Sequence, residues 1–263
     1  CDGVALAIAA LAHHRSAPEV HAASFGLLAS LARQELSAVQ TPTAVRAVLT
    51  VLGGGLSGRA AARLALSLGA EVVLSDRDAD CAPMEGVENV MGEHPDAILD
   101  VDTVVVSPGI PAMASPVQRA LSMGTEVVGE LGFAAEFLPE DLPVVAITGT
   151  NGKSTVTSFT GQLLRAGGLR TFEGGNLGTP LSDAVSGDWD VLVVEVSSYQ
   201  MELPGAFSPD VAAVLNLSPD HLQRHKTMES YAAHKLRLLS LLREGGVGVL
   251  PWEDPILRPL AEE

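Results

Sequence analysis

Short apolar runs rich in valine alternate with helical patterns along most of the chain from Val45 onward. The runs are bounded by glycine, aspartate or proline and read AVLTVLG, EVVLSD, VDTVVVSPG, TEVVGE, LPVVAITG, DVLVVEVSS, DVAAVLNLS and GGVGVLP. Nearly continuous apolar strands of this kind are typical of parallel sheets that are covered by helices on both faces. The pattern therefore predicts an α/β fold in which the segments between the runs supply the helices.

The alternation of apolar runs and helical patterns is interrupted in LPEDLP at residues 138–143, where two prolines and two acidic residues separate neighbouring runs. We place a domain boundary there, because 263 residues exceed the usual size of one domain. The prediction is a Rossmann-like parallel-sheet domain over residues 46–140 and a P-loop-type α/β domain over residues 141–263. Residues 1–45 are rich in alanine and predict a helical extension, whose role the sequence leaves open.

Composition narrows the range of partners. Sixteen Lys and Arg against 32 Asp and Glu leave a formal net charge of −16, which repels nucleic acid and anionic lipid over most of the surface. We therefore expect neither a nucleic-acid nor a membrane partner. The two cysteines form neither a metal-ligand spacing nor a disulfide framework, which favours a cytoplasmic location.

A first glycine loop follows the first valine-rich run. Gly53, Gly55 and Gly58 lie in G-x-G-x-x-G register before a predicted helix, and the next predicted strand ends at Asp76. This order places a helix N-terminus against a pyrophosphate, and Asp76 stands where dinucleotide folds hold a ribose. An NAD-dependent oxidoreductase is one hypothesis, but the motif does not distinguish NAD from another pyrophosphate nucleotide. A glycine turn that only packs helix against strand is the structural alternative.

A second glycine loop, ITGTNGKST, follows the run LPVVAIT. Ile147 replaces the first glycine of the standard phosphate-binding pattern. Gly149 and Gly152 still give a flexible backbone, Lys153 can reach terminal phosphates, and the hydroxyl of Ser154 can bind Mg²⁺. ATP is therefore the expected ligand of this loop.

Three further residues carry possible chemistry. Glu195 ends an apolar run, so its carboxylate is expected at the carboxyl end of a buried strand, where Mg²⁺ would offset the cost of burial or the side chain would simply reach water. His221 follows the next run, and Lys235 lies on a predicted helix. From the residues alone, a single histidine is usually structural and a single helical lysine is usually a solvated surface group.

Seven strings taken together resemble the ATP-dependent Mur ligases of peptidoglycan synthesis. They are GGGLSG, SPGI, GTNGKST, GGNLGTPL, EVSSYQME, NLSPDHLQRH and YAAHKLRLL, in this order between about Val45 and Leu242. The pair GTNGKST and SSYQME is similar to the branch that adds D-glutamate. The resemblance implies a cytoplasmic, monomeric, ATP-dependent ligase that joins D-glutamate to UDP-N-acetylmuramoyl-L-alanine.

The resemblance also implies roles for individual residues. The first glycine loop would hold the UDP diphosphate rather than NAD, and Asp76 and Arg77 would lie beside the uracil. The implied substrate contacts are Gly55, Leu56, Ser57, Gly58, Asp76, Arg77, Ser107, Pro108, Gly109, Asn176 and His221. The implied ATP-binding residues are Gly149, Thr150, Asn151, Gly152, Lys153, Ser154 and Thr155. The implied catalytic residues are Lys153, Glu195, His221 and Lys235, and the implied metal ligands are Ser154, Glu195, His221 and Lys235.

The implied cofactors are ATP, Mg²⁺ at up to two sites, and a carbamate formed on Lys235 with carbon dioxide. In the implied reaction, the ATP γ-phosphate converts the L-alanyl carboxylate to an acyl phosphate, which the amine of D-glutamate then attacks. Members of this family carry a third domain without a counterpart in the sequence, so a truncated chain or a fragment is expected. An NAD-dependent oxidoreductase and a non-catalytic nucleotide-binding paralogue are the alternatives.

Overall fold

The computed structural model describes residues 47–176, 178–254 and 257–258, so the helical extension predicted for residues 1–45 lies outside the described part of the chain. The described residues form two compact units. The first contains residues 47–137 and 203–206, and the second contains the described residues of 138–202 and 207–258. The division after residue 137 falls at the start of the LPEDLP segment.

The first unit is a five-stranded parallel sheet with strand order β3-β2-β1-β4-β5. Its chain order reverses between β1 and β4, and crevices at such switch points are where open α/β sheets bind ligands. The strands are β1 (Val48–Leu52), β2 (Glu71–Asp76), β3 (Glu88–Met91), β4 (Thr103–Val106) and β5 (Glu126–Gly129). The helices are α1 (Leu56–Ser67), α2 (Ser115–Met123) and α3 (Glu130–Ala135), with a 3-10 turn at Asp96–Ile98.

The second unit is also a five-stranded parallel sheet, with strand order β10-β9-β6-β8-β7. The central strand β6 therefore ends between the ends of β9 and β8. The strands are β6 (Val144–Thr148), β7 (Thr171–Gly175), β8 (Val191–Glu195), β9 (Val211–Val214) and β10 (Val247–Val249). The helices are α4 (Lys153–Ala166), α5 (Leu222–His225) and α6 (Met228–Ser240), with 3-10 turns at Leu181–Ala184 and Gln200–Glu202.

The predicted fold class is confirmed, since both units are parallel α/β structures. The central strands β6, β8 and β9 are buried at every position, as their unbroken apolar sequences require. In the first unit, a run of small buried residues in α1, Ala60 to Ala62, lets this helix lie close to the sheet. Each predicted run contains a strand, and β3 and β7 are two strands that the patterns did not predict.

Residues 203–206 belong to the first unit although they follow β8 in the chain. The carbonyl of Leu203 accepts a hydrogen bond of 2.9 Å from the backbone N–H of Gly129, at the end of β5. A Cβ at Gly132 would lie 2.5 Å from the carbonyl oxygen of Pro204, so only glycine lets α3 approach this segment so closely. The sequence patterns gave no indication of this packing.

A buried carboxyl group lies at the end of α3. The Oε2 atom of Glu136 is buried and has no hydrogen-bond partner within the described residues. Burial, with a smaller contribution from nearby Glu126, raises the pKa of Glu136 from 4.5 to about 8. The folded chain therefore keeps this proton over a pH range in which the unfolded chain releases it.

Glu136→Gln should remove a pH-dependent loss of stability. The wild-type free energy of unfolding should fall, relative to that of the variant, as pH rises from about 4.5 to about 8, because only the unfolded chain gains by ionising in that range. We expect a change of roughly 1 to 3 kcal/mol, discounted from the full shift because the side chain keeps some solvent contact. Urea unfolding at several pH values measures it. Glu85→Gln, at an exposed position, is the control, and parallel pH profiles for wild type and Glu136→Gln would contradict the prediction.

Candidate nucleotide and metal sites

The first glycine loop connects β1 to α1 and is held by the neighbouring strands. Gly53 has a φ of +98°, and its N–H donates to the carbonyl of Ser75 at 2.7 Å. The hydroxyl of Ser107, directly after β4, donates to the carbonyl of Gly53 at 3.0 Å. These hydrogen bonds fix the loop backbone at the switch point of the sheet, directly before the N-terminus of α1.

Asp76 at the end of β2 supports the same loop. Its Oδ2 accepts a hydrogen bond of 2.6 Å from the N–H of Gly54, and its Oδ1 accepts one of 2.9 Å from the N–H of Asp78. Burial opposes ionisation, but these hydrogen bonds and nearby His94 outweigh it and lower the pKa of Asp76 below its ordinary value. The carboxylate is therefore ionised at neutral pH and fixes the loop backbone.

The remaining predicted substrate contacts in this unit differ in exposure. Gly55, Leu56, Arg77 and Gly109 are exposed, whereas Gly58 and Ser107 are buried. Ser57 and Pro108 are partly buried. The structure thus brings the glycine loop, Asp76 and the segment after β4 to one edge of the sheet.

The second glycine loop follows β6 and leads into α4. Gly149 and Gly152 have φ values of +152° and +83°, which residues other than glycine rarely adopt. Asn216, which follows β9, clamps the loop. Its Oδ1 accepts from the N–H of Asn151 at 2.9 Å, and its Nδ2 donates to the carbonyl of Asn151 at 3.0 Å. The carbonyl of Asn216 also accepts from the N–H of Thr150 at 3.0 Å.

Lys153 is the first residue of α4, and its Nζ donates to the carbonyl of Thr150 at 3.0 Å. Ser154 and Thr155 are exposed in the first turn of the same helix. A helix N-terminus with free N–H groups, a lysine and hydroxyl side chains is suited to phosphate. The predicted ATP-binding residues therefore lie together in one loop and helix start.

Glu195 ends β8 and is only 2% exposed. Its Oε1 accepts a hydrogen bond of 2.8 Å from Nδ2 of Asn176, while its Oε2 is buried and lacks a hydrogen-bond partner within the described residues. The backbone N–H of Asn176 also donates to the carbonyl of Glu195 at 2.8 Å. A buried carboxylate oxygen without a donor is costly, and an oxygen-seeking cation such as Mg²⁺ fits it. Because Glu195 is buried, its carboxylate does not extend into bulk solvent as the alternative interpretation required.

Lys235 on α6 is only 1% exposed, so the interpretation of this residue as a solvated surface group was wrong. Its Nζ donates to the carbonyl of Gly149 at 2.7 Å and lies 5.0 Å from the ring centre of Tyr231. Burial, followed by the charge of Lys153, lowers the pKa of Lys235 to about 8, although Asp220 and Glu195 oppose the shift. Packing of α6 against the loop after β6 accounts for this burial.

His221 lies in the segment between β9 and α5 and adopts a left-handed conformation, with φ of 52°. Such a backbone is uncommon outside glycine, and functional sites often contain it. Its Nδ1 lies 3.1 Å from the hydroxyl of Tyr199, and its Nε2 lies 3.4 Å from Oδ2 of Asp220. The ring is therefore oriented by two polar partners while its side chain stays 41% exposed.

Three residues with evident roles in this arrangement were absent from the predicted set: Tyr199, Asn216 and Tyr231. The hydroxyl of Tyr231 lies 3.0 Å from Oγ1 of Thr150, so both Tyr231 and Asn216 fix the phosphate-type loop. Asn216 could have been found from the sequence, because it lies near the end of the valine-rich run DVAAVLNLS. Tyr199 and Tyr231 carry no comparable local signal.

The two units define a class of protein, namely an α/β protein with one nucleotide-type glycine loop in each of two parallel-sheet units. Comparisons with known proteins narrow this class. The family model of the MurD-like N-terminal domain of Mur ligases matches residues 47–129, and the model of the Mur ligase middle domain matches residues 147–263. The chain belongs to the Mur ligase family.

Curated relatives agree with this assignment. The UDP-N-acetylmuramoylalanine–D-glutamate ligase of Desulfotalea psychrophila is 45% identical over 218 residues, covering 78% of this chain and 47% of that protein. The enzymes of the same name from Pelotomaculum thermopropionicum and Salinibacter ruber are both 42% identical, covering 82% and 85% of this chain and 49% and 51% of those proteins. The chain thus spans about half the length of these relatives.

Solved structures support the fold. The UDP-N-acetylmuramate:L-alanyl-gamma-D-glutamyl-meso-diaminopimelate ligase of Neisseria meningitides gives a TM-score of 0.55 at 18% identity, covering 83% of this chain and 75% of that one. The UDP-N-acetylmuramate-alanine ligase of Thermotoga maritima gives a TM-score of 0.50 at 22% identity, covering 82% and 51%. Within the described residues, the helices are too short or too polar to span a membrane.

Proposed function

We propose that the chain is the part of a D-glutamate-adding Mur ligase that binds UDP-N-acetylmuramoyl-L-alanine and ATP. The observation that carries this proposal is the buried cluster around the second glycine loop. There, Lys153 begins a helix, and the Oε2 atom of Glu195, which has no hydrogen-bond partner among the described residues, is suited to a cation. The buried amine of Lys235 donates to the loop carbonyl of Gly149. Relatives 42% to 45% identical that bear the name of the D-glutamate ligase favour this member of the family.

The first unit would bind the UDP part of the substrate. Its loop presents the exposed Gly55 and Leu56 at the N-terminus of α1, where backbone N–H groups stabilise a diphosphate. Asp76 fixes the loop by accepting a hydrogen bond from the N–H of Gly54, so its first role would be structural. Arg77 is more exposed and is the better candidate for a uracil contact. Ser107, Pro108 and Gly109 would border the path of the sugar.

The second unit would bind ATP and Mg²⁺. Lys153 and the first turn of α4 would hold the terminal phosphates, and Ser154 and Glu195 would hold a magnesium ion that neutralises phosphate charge. Asn176 would orient Glu195, to which it already donates a hydrogen bond. A local binding site of this kind is required because the net charge of −16 otherwise opposes an anionic ligand.

Lys235 would act as a carbamate in this proposal. Its buried amine lies close enough to Lys153 for the two positive charges to repel each other. A carbamate would replace that repulsion by attraction and would supply an oxygen ligand for a second Mg²⁺, together with His221. Mass spectrometry under non-acidic conditions would detect the added carbon dioxide.

In the proposed reaction, the carboxylate of the L-alanyl group attacks the γ-phosphorus of ATP, and ADP leaves. The amine of D-glutamate then attacks the carbonyl carbon of the acyl phosphate and expels phosphate. Lys153 would follow the charge of the moving phosphoryl group, and His221 would remain in the orientation set by Tyr199. A cytoplasmic location and a monomeric state stay predictions.

Calorimetric titration of the chain with UDP-N-acetylmuramoyl-L-alanine, and separately with NADH, tests the assignment of the first loop. We expect saturable binding of one equivalent of the muramoyl nucleotide and no binding of NADH. UDP alone should bind more weakly, because it lacks the contacts near Ser107. Binding of NADH alone would overturn the proposal and leave the Lys153 loop to be explained in another way.

A further inference from the structure

A group of metal-ligating side chains shares no residue with the set assigned to ATP and Mg²⁺. Glu202, His225 and His234 each offer one ligand atom, and these atoms all lie within 4.8 Å of one another. Glu202 ends the 3-10 turn after β8, His225 ends α5, and His234 lies in α6. We propose that these three residues bind a divalent transition-metal ion of the Zn²⁺ class.

The donor set determines the kind of ion. Two imidazoles and one carboxylate suit Zn²⁺, Co²⁺ or Ni²⁺, whereas Mg²⁺ prefers oxygen ligands in octahedral geometry. A site with three protein ligands leaves a position for water. The site is reachable from solvent, because Glu202 and His234 are only partly buried while His225 is buried.

The orientation of His234 is already suited to a metal. Its Nδ1 lies 2.7 Å from the carbonyl oxygen of Ser230, one turn earlier in α6. A carbonyl oxygen can only accept, so Nδ1 carries the proton and Nε2 keeps its lone pair in the neutral ring. Metal-binding histidines are commonly fixed by such a hydrogen bond from the other ring nitrogen.

His225 is fixed by a second partner. Its Nε2 lies 2.9 Å from the hydroxyl of Ser198, and its ring centre lies 4.7 Å from that of His234. When Nε2–H donates to this hydroxyl, Nδ1 is the nitrogen with the lone pair. Two rings this close, each with one nitrogen engaged by a neighbour, can direct the remaining nitrogens to one ion.

Glu202 introduces a competitor for the metal. Arg224 donates from Nε to Oε1 at 2.8 Å and from Nη2 to Oε2 at 3.0 Å. Arg237 lies nearby as well, donating from Nη1 to the carbonyls of Met201 and Glu202. A carboxylate has about four acceptor positions, so an ion can share Glu202 with Arg224 but must overcome the repulsion of the guanidinium. Because Arg224 and the ion compete for Glu202, removal of Arg224 is expected to raise the metal affinity.

Calorimetric titration of the full chain with Zn²⁺ tests the site, supported by the visible spectrum of the Co²⁺ complex. We expect His234→Ala and Glu202→Gln each to weaken Zn²⁺ binding at least roughly tenfold. Arg224→Ala should instead tighten binding, because it removes a cation that competes for Glu202. Unchanged or weaker binding in Arg224→Ala would exclude Glu202 as a ligand and overturn the three-residue site.

One histidine variant serves as a matched control. His94→Ala removes an imidazole from the first unit and should leave the Zn²⁺ affinity within roughly twofold of wild type, well short of the loss expected for a ligand. Circular dichroism of every variant verifies folding, and a large excess of Mg²⁺ should not displace the ion. Loss of Zn²⁺ binding in His94→Ala together with retention in His234→Ala would place the ion elsewhere and overturn the proposal.

Discussion

Gly58→Ala is expected to destabilise the first unit by about 3 kcal/mol and to weaken binding of the UDP-sugar. Gly58 lies in the first turn of α1, where a Cβ would overlap the carbonyl oxygen of Gly53 and lie 2.7 Å from Oγ of Ser107. A backbone carbonyl cannot rotate away as the end of a long side chain can. The helix would therefore have to move off the loop. Urea unfolding followed by circular dichroism, and calorimetry with the muramoyl nucleotide, measure the two effects.

Gly55→Ala provides the matched control in the same motif. Gly55 has φ of −74°, which alanine adopts without strain, and a Cβ there would meet no atom within 4 Å in the described structure. We expect its free energy of unfolding to stay within about 0.5 kcal/mol of wild type. Equal destabilisation by the two substitutions would show that packing at Gly58 does not decide the loop conformation.

This contrast indicates what the glycine pattern in the sequence could reveal. The register of Gly53, Gly55 and Gly58 predicted a turn between strand and helix, and the structure contains that turn. The pattern did not reveal which glycine is sterically required. That depends on how the loop folds, because a Cβ at Gly58 would overlap the carbonyl oxygen of Gly53. It also depends on Ser107, which the pairing of β1 with β4 brings to the loop.

Most of the sheet architecture could be predicted because buried parallel strands have unbroken apolar sequences. The two strands that were missed lie at sheet edges and lack that signal. β3 reads ENVM and is at most partly buried, since only one neighbour covers it. β7 reads TFEGG, and a Cβ at Gly175 would overlap the carbonyl oxygen of Glu195, so the close approach of two strands requires the glycine there.

The candidate site was only partly predictable for a related reason. Loops such as GTNGKST carry their chemistry within a few residues, so local reading finds them. The environment of Lys235 depends on how α6 packs against Gly149, 86 positions away. A single lysine on a predicted helix looks like a surface residue until that packing is known. The resemblance to the family, rather than any periodicity, indicated its role.

Tertiary contacts also created groupings that spacing could not indicate. Glu202 and His225 are separated by a strand and a loop, yet they lie together with His234. Asn216 and Asn151, 65 positions apart, exchange two hydrogen bonds. The two asparagines meet because β9 and β6 are neighbours in the sheet and bring their carboxyl ends together. Strand order, which the sequence patterns left undetermined, is therefore the missing information.

Lys153→Ala is expected to weaken ATP binding to the chain by about 100-fold, because a charge-assisted hydrogen bond to phosphate contributes roughly 1.5 to 3 kcal/mol. In the structure, Nζ of Lys153 donates only to the carbonyl of Thr150 among the contacts described for it, so a phosphate oxygen can take its place as acceptor. Calorimetry with Mg²⁺ and ATP measures the loss. Binding of UDP-N-acetylmuramoyl-L-alanine should stay within about twofold of wild type, since the contacts proposed for its UDP part lie in the first unit.

The control for this effect is Lys226→Ala, which removes the same charge from an exposed position that contacts only the carbonyl of Gln223 among the described hydrogen bonds. If that variant lost as much ATP affinity as Lys153→Ala, net charge rather than a specific contact would be responsible. Loss of both ATP and the muramoyl nucleotide in Lys153→Ala would contradict the assignment of one ligand to each unit. Loss of ATP affinity alone would assign phosphate binding to the helix that Lys153 begins. The first glycine loop would then be the independent site of the UDP-sugar.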